Sequence, residues 1–187
     1  MVHRDKTVQV QRDHDSSQWN RVAAPRAWLG KVLTGGQTGT DRAATDVAIA
    51  CGVAYGGWVP KGGWAEDHRT PPGIRAMYPA FTETLSDDPA VRSVRNVDDA
   101  DGLLVLSIGE FASRGTELAF ERAAQLGRPS ASINVQHAAA GRLLEALVST
   151  LVPGATLNVA GPRESEQPGV YAAVCRFLEL HLPGTLS

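Results

Sequence analysis

Residues 32–42 read Val32-Leu33-Thr34-Gly35-Gly36-Gln37-Thr38-Gly39-Thr40-Asp41-Arg42 and decide the fold of this chain. A short apolar run, residues 29–33, leads into three glycines within five residues, and an Ala-rich segment, residues 43–51, follows at once. Glycines allow positive φ angles and remove the Cβ atoms that would keep a ligand off the backbone. A following helix would direct unpaired N–H groups and the positive end of its dipole at the turn, which suits phosphate. We therefore predict a strand, a turn and a helix, with an anion site at Gly35, Gly36, Gln37, Thr38, Gly39 and Thr40.

The polar side chains of this glycine turn, residues 35–40, and of the helix start give further expectations. Thr38, Thr40 and Asp41 are predicted to cap the helix, and Arg42 to add a charge-assisted contact to the ligand. The spacing matches neither the NTPase nor the dinucleotide fingerprint, so neither applies. The alternative is a tight turn that needs glycine for its geometry alone. If the turn does hold phosphate, Gly36→Asp is expected to abolish binding and leave the fold intact.

Length and composition predict one domain, over residues 28–187, after a polar N-terminal extension, residues 1–27, that we expect to be poorly ordered. A net charge of -2 offers no basic field for nucleic acid. No run of 18 apolar residues is present, so we expect no membrane span and a cytoplasmic protein. The two cysteines are expected to be buried free thiols, and the five histidines have no metal-ligand spacing, so no metal site is predicted.

The rest of the chain alternates between strand and helix patterns. Strands are predicted at residues 29–33, 52–57, 103–108, 129–135 and 156–160, and residues 78–84 allow a further short extended piece. Helices are predicted after the glycine turn and at residues 86–97, 115–127, 138–151 and 170–180. This order indicates an α/β fold, a Rossmann-like doubly wound parallel sheet of about five strands with helices on both faces.

Four glycine-rich or polar junctions follow predicted strands, at residues 35–40, 57–67, 109–116 and 161–165. Because the carboxyl ends of parallel strands meet at one edge of a sheet, we expect these junctions to converge on a single ligand site. The second junction is part of an irregular segment, residues 58–74, with two tryptophans. We expect this segment to cover the ligand rather than to form a disordered linker.

Single residues in these junctions have both a binding and a plain structural interpretation. Gly115 and Thr116 form a second candidate phosphate turn, or Ser113 and Thr116 simply cap a helix. Gly161 is a further candidate, a glycine at the rim of the site. Lys61 and Arg163 would clamp an anion or lie in solvent, and Glu66 and Asp67 would offer a base or hydrogen-bond acceptors or form a solvated pair. Asn158 would bind an amide-like edge of the ligand or form a hydrogen bond to the backbone. We find no nucleophile beside a base, so the sequence predicts binding more clearly than catalysis, and catalytic residues stay unknown.

These motifs together resemble the molybdenum carrier family. The resemblance covers about residues 29–182 and rests on residues 32–44, 55–62, 65–67, 78–79, 95–102, 115–116 and 157–165, which occur in the family's order. It implies membership in a Rossmann-like superfamily that includes the Lonely Guy-type phosphoribohydrolases and the DprA proteins, and a nucleotide-like or phosphorylated ligand. The family name implies binding of the molybdenum cofactor, a pterin with a phosphate tail that would lie on residues 35–40 or on Gly115 and Thr116. Homo-oligomers are common among such relatives, so we expect one here.

The phosphoribohydrolase branch carries P-G-G-x-G-T-x-x-E, whose glutamate serves catalysis. Here Ala119 stands in the place of that glutamate, and Glu117 and Glu121 face differently on a helix. We therefore predict a carrier of a phosphorylated pterin or nucleotide rather than an enzyme. Two alternatives stay open: a nucleotide-cleaving enzyme with Glu117 or Asp67 as acid or base, and a nucleotide sensor that recruits a partner protein.

Overall fold

The computed structural model describes residues 28–182, so the predicted N-terminal extension lies outside the described residues. The six strands are β1 Leu29–Leu33, β2 Ala54–Val59, β3 Phe81–Glu83, β4 Gly102–Ser107, β5 Ser130–Asn134 and β6 Ala155–Ala160. The five α-helices are α1 Thr40–Ala50, α2 Pro89–Asp98, α3 Arg114–Gln125, α4 Ala140–Val148 and α5 Val170–His181. Two short 3-10 helices, Lys61–Gly63 and Gly73–Ala76, lie between β2 and β3.

The strands form one parallel sheet in the order β3-β2-β1-β6-β4-β5. The predicted Rossmann-like architecture is confirmed, with six strands instead of about five. The additional strand is β3, which arises from the short extended piece allowed at residues 78–84 and pairs through Gly57 opposite Phe81. Strand β2 begins and ends two residues later than predicted, because Trp58 and Val59 continue its pairing with β3.

The helices cover both faces of the sheet. Buried residues of α1, α4 and α5 form one apolar core with Leu104 and Leu106 of β4, whereas α2 and α3 pack on Leu103 and Val105 of the same strand. Alternate side chains of a strand point to opposite faces, and every residue of β4 is buried. A central strand covered on both sides therefore reads as the continuous apolar run seen in the sequence.

No helix within residues 28–182 is long and apolar enough to cross a membrane. Cys51 and Cys175 form no disulfide within the described residues, and both are half-buried.

Candidate functional site

A cleft of about 330 Å³ opens at the carboxyl edge of the sheet, between α2 and α3. Its walls come from the glycine turn, the first half of α2, the start of α3 and the end of β6: Gly35, Gln37, Asp41, Asp88, Pro89, Ala90, Arg92, Ser93, Asn96, Ser113, Arg114, Gly115, Thr116, Leu118, Ala119, Asn158, Ala160, Gly161, Arg163 and Glu166. This volume lies in the range of small-molecule sites. Three of the four predicted junctions thus converge on one cleft.

The position of the cleft follows from the winding of the sheet. Strands β4 and β6 are neighbours, yet the chain leaves β4 toward α3 on one face and leaves β6 toward α5 on the other. The two connections therefore separate at the carboxyl ends of the strands. Such a switch point is where doubly wound sheets bind ligands.

The glycine turn packs against the loop that follows β6. Gly39 has φ +67°, and a Cβ atom there would lie 2.4 Å from the carbonyl oxygen of Pro162. The Thr40 N–H donates to that same oxygen at 3.1 Å, and the Thr38 hydroxyl accepts from the Glu164 N–H at 3.2 Å. Gly161 also lacks room for a side chain, since a Cβ there would lie 2.2 Å from the Leu106 oxygen. Close packing against backbone atoms therefore explains why positions 39 and 161 are glycines, independently of any ligand.

Gly36 faces away from the cleft. A Cβ atom at Gly36 would lie 3.0 Å from Val59 Cγ1 and 3.2 Å from Ile74 Cγ2, and both side chains are buried. The expectation that Gly36→Asp would leave the fold intact is therefore wrong. The substitution would put a charge into an apolar cluster, at a residue whose φ is +72°.

The capping prediction for α1 is also wrong, because the residue before the helix, Gly39, is its N-cap and no side chain caps it. The Asp41 carboxylate instead accepts from the Gln37 N–H at 3.2 Å, and the Thr40 hydroxyl donates to the Leu106 oxygen at 3.0 Å. Burial raises the pKa of Asp41, although the charge of Arg92 and the N–H groups of Gln37 and Gly35 oppose that shift. The backbone N–H groups of the glycine turn thus interact with the Asp41 carboxylate of the same chain.

Arg92 is a cleft residue that sequence reasoning missed, since nothing marks it among the surface arginines of α2. Its Nη1 lies 3.4 Å from Asp41 Oδ2 and only 1.1 Å from the position that a Cβ atom of Gly35 would occupy. Its side chain is 13% exposed, and its Nε is buried with no hydrogen-bond partner among the described residues. Burial lowers the pKa of Arg92, although the charge of Asp41 opposes that shift.

Asn158 lies on the floor of the cleft with an unused amide. The residue is 3% exposed, and its side chain makes no hydrogen bond to any described residue. The backbone-bonding alternative for this side chain is therefore wrong. Asn96, at 2% exposure, is the opposite case: its amide accepts from the Trp58 N–H at 2.7 Å and donates to the Thr34 and Trp58 oxygens.

The start of α3 forms another wall of the cleft. Ser113 and Thr116 form a capping box, in which each side chain accepts from the other residue's backbone N–H, at 3.3 and 3.0 Å. The predicted capping by Ser113 and Thr116 is thus present, and it leaves the phosphate prediction for this turn open. The N–H groups of Arg114 and Gly115 still have no partner among residues 28–182, and they lie at the positive end of the α3 dipole.

The two predicted cationic clamps lie apart. Arg163 lines the cleft, and its guanidinium lies over the ring of Trp64 at 5.5 Å with no ion pair to a described residue. Lys61 lines a second pocket of about 200 Å³, together with Trp64 and Arg69. The structure does not bring Lys61 to the cleft.

Glu66 connects three loops beside the cleft through hydrogen bonds. It accepts from the hydroxyls of Thr38 and Ser165, and its N–H donates to Gln37 Oε1 at 3.2 Å. Partial burial raises the pKa of Glu66, but the hydrogen bonds from Ser165 and Thr38 outweigh it and the pKa lies below its ordinary range.

Asp67 and Arg42 pair with each other outside the cleft. Arg42 makes two hydrogen bonds of 3.1 Å to Asp67 and lies over the Tyr78 ring. Neither residue lines the cleft, and no residue of the predicted covering segment, 58–74, does so. The segment packs inward through Ala65 and Ile74, which are fully buried.

The acids considered for an enzyme also lie elsewhere. Glu117 is exposed beside Arg114, while Ala119 lines the cleft. Among the described residues, no group of three or more His, Cys, Asp or Glu side chains could hold a metal ion.

The fold and the cleft define a doubly wound, Rossmann-like α/β protein with an open cleft at its switch point. The family model of the circularly permutated YpsA SLOG family matches residues 32–182, and the chain belongs to this family. A solved structure described as "Putative molybdenum carrier protein", from Syntrophus aciditrophicus SB, is similar at a TM-score of 0.72 and 34% sequence identity. The match covers 83% of this chain and 96% of that one. No curated protein matches the chain.

Proposed function

We propose that this protein binds and carries a phosphorylated heterocycle, a pterin or a nucleotide, in the cleft between α2 and α3. The observation that carries the proposal is the amide of Asn158, which lies on the floor of the cleft and makes no hydrogen bond to a described residue. A ligand that presents a neighbouring donor and acceptor, as the amide-like edge of a pterin or a nucleobase does, would satisfy it.

The phosphate belongs at the start of α3 in this proposal. The free N–H groups of Arg114 and Gly115 and the unpaired guanidinium of Arg163 line the same cleft as Asn158. The glycine turn is the weaker candidate, because the N–H of Gln37 already donates to Asp41 and that of Thr40 to Pro162. Amides at a helix start bind phosphate well when nothing else uses them.

The molybdenum cofactor is the preferred cargo among such ligands. It is a pterin with a phosphate tail, so it offers both the edge that suits Asn158 and the anion that suits α3. The similar protein from Syntrophus is described as a molybdenum carrier, which supports this choice. All proposed contacts are to the organic part of the cofactor.

Native mass spectrometry of the protein purified from a molybdenum-replete bacterial host tests the proposal. A bound mass that matches a molybdopterin species is the expected result, and Asn158→Leu is expected to lose it. A bound nucleotide would support the broader proposal and exclude the preferred cargo. A protein that takes up neither pterins nor nucleotides would contradict the proposal.

A cytoplasmic homo-oligomer is the proposed setting, in keeping with composition and with the resemblance to oligomeric relatives. Light scattering of the purified chain would give a mass above 19.8 kDa if this is right.

A further inference from the structure

We infer that Arg92 forms a second oxyanion subsite in the cleft, separate from the α3 start, so that the ligand carries two separate oxyanion groups. The inference rests on the proposed function, which places one phosphate at Arg114 and Gly115. It adds a second charged group to the ligand and a residue that recognises it.

The unmet bonding of Arg92 is the first argument. A guanidinium has five N–H donors, and here the described residues supply one acceptor, Asp41 Oδ2, at the long distance of 3.4 Å. The side chain is only 13% exposed, and the buried Nε has no partner. A buried charge is costly unless it is paired and hydrogen-bonded. An oxyanion in the cleft would supply the missing acceptors.

The glycine at position 35 is the second argument. Gly35 is not among the glycines with positive φ, so the backbone conformation does not explain it. Arg92 does explain it, because any Cβ atom at position 35 would lie 1.1 Å from Nη1. The glycine turn therefore seats a guanidinium at the cleft wall.

The two subsites lie on different walls. Arg92 reaches the cleft from α2 and lies against Asp41 of α1 and Gly35 in the turn after β1, whereas Arg114 and Gly115 belong to α3. Around the Cβ position of Gly115, only the hydroxyls of Ser93 and Ser113 lie within 4 Å. The inference assigns a separate oxyanion group of the ligand to each wall.

Crystals of the full chain soaked in sodium tungstate, a heavy oxyanion, test this inference through anomalous scattering. We expect two tungstate ions per chain, one at Arg92 and one at the N–H groups of Arg114 and Gly115. Arg92→Met is expected to lose only the first. Gly35→Ala is expected to do the same while it keeps the charge, because its methyl group displaces the guanidinium. Arg142→Met, on exposed α4 outside the cleft, is the control and should keep both.

The outcomes separate the inference from the proposed function. A tungstate ion only at the α3 start, or one that stays beside residue 92 in both variants, overturns the inference and leaves the proposed function standing. Tungstate only at Arg92 contradicts the phosphate position and the two-group ligand alike, and no bound tungstate counts against both. If Arg92→Met does not fold, Gly35→Ala decides.

Discussion

Asn96 and Asn158 are almost equally buried, yet their amides are in opposite hydrogen-bonding states. Asn96 joins β1 to β2 through three hydrogen bonds to the backbone of Thr34 and Trp58. Asn158 makes none within residues 28–182 and faces the cleft. The first asparagine stabilises the fold, whereas the second leaves its amide available to a ligand.

Replacing each asparagine by leucine separates the two roles. Without ligand, Asn158→Leu is expected to leave the free energy of unfolding within about 0.5 kcal/mol of the wild type, since no protein hydrogen bond is removed. Thermal unfolding should show a midpoint within roughly 2 °C of the wild type. Asn96→Leu, the matched control, leaves three backbone groups without hydrogen-bond partners and should lower the free energy of unfolding by about 2–5 kcal/mol. Equal destabilisation by both variants would show that the Asn158 amide is paired.

Gly35 and Gly36 show how adjacent glycines differ. Gly35 is open to Arg92 and the cleft, while Gly36 points at Val59 and Ile74 and needs its positive φ. A substitution at Gly35 therefore acts on the site, and one at Gly36 acts on stability.

At the scale of elements, one carboxylate holds the loops that frame the cleft. Glu66 receives hydrogen bonds from Thr38 after β1 and from Ser165 after β6, and its own loop follows β2. These hydrogen bonds favour the ionised form, so the folded-state pKa lies below the ordinary 4.5. The stabilisation is therefore present above the ordinary pKa and is lost as pH falls through the folded value.

Glu66→Gln is expected to lose this pH-dependent stabilisation. Urea unfolding at pH 7 should show the variant less stable than the wild type, and the difference should shrink as pH falls below 4.5. Glu121→Gln, on the exposed side of α3, is the control and should leave the wild-type profile unchanged. A Glu66→Gln difference that stays constant with pH would refute the assignment.

At the scale of the whole molecule, the cleft joins elements that are distant in the chain. Its walls include the turn after β1, α2, α3 and β6, so the contacts of a bound ligand would connect both halves of the sheet. A ligand that binds only the folded state stabilises all of it by mass action.

Ligand addition should therefore raise the unfolding temperature of the entire domain. At a ligand concentration one hundred times Kd, the gain is about 2.7 kcal/mol, or roughly 5–10 °C for a domain of this size. Differential scanning fluorimetry with AMP, GMP and molybdopterin would measure it, and Asn158→Leu should abolish the shift. A shift of equal size in that variant would place the ligand outside the cleft.

The sequence by itself determined the order of strands and helices, the parallel sheet and the edge at which the junctions meet. These features depend on local patterns: the apolar run of β4, the glycines at residues 35–39 and the polar junctions after strands. The same patterns pointed to Asn158, Arg163, Gly115 and Thr116, which line the cleft.

Only the tertiary structure decided which groups are already used and which are free. Asp41 accepts a hydrogen bond from the Gln37 N–H, and Asp67 accepts hydrogen bonds from Arg42. Arg92 belongs to α2 and lies 51 residues after Asp41 in the chain. Local spacing does not encode such partners, because they depend on how α2, α3 and the loops pack over the sheet. A hydrogen-bonding group becomes available to a ligand only when this packing leaves it without a partner.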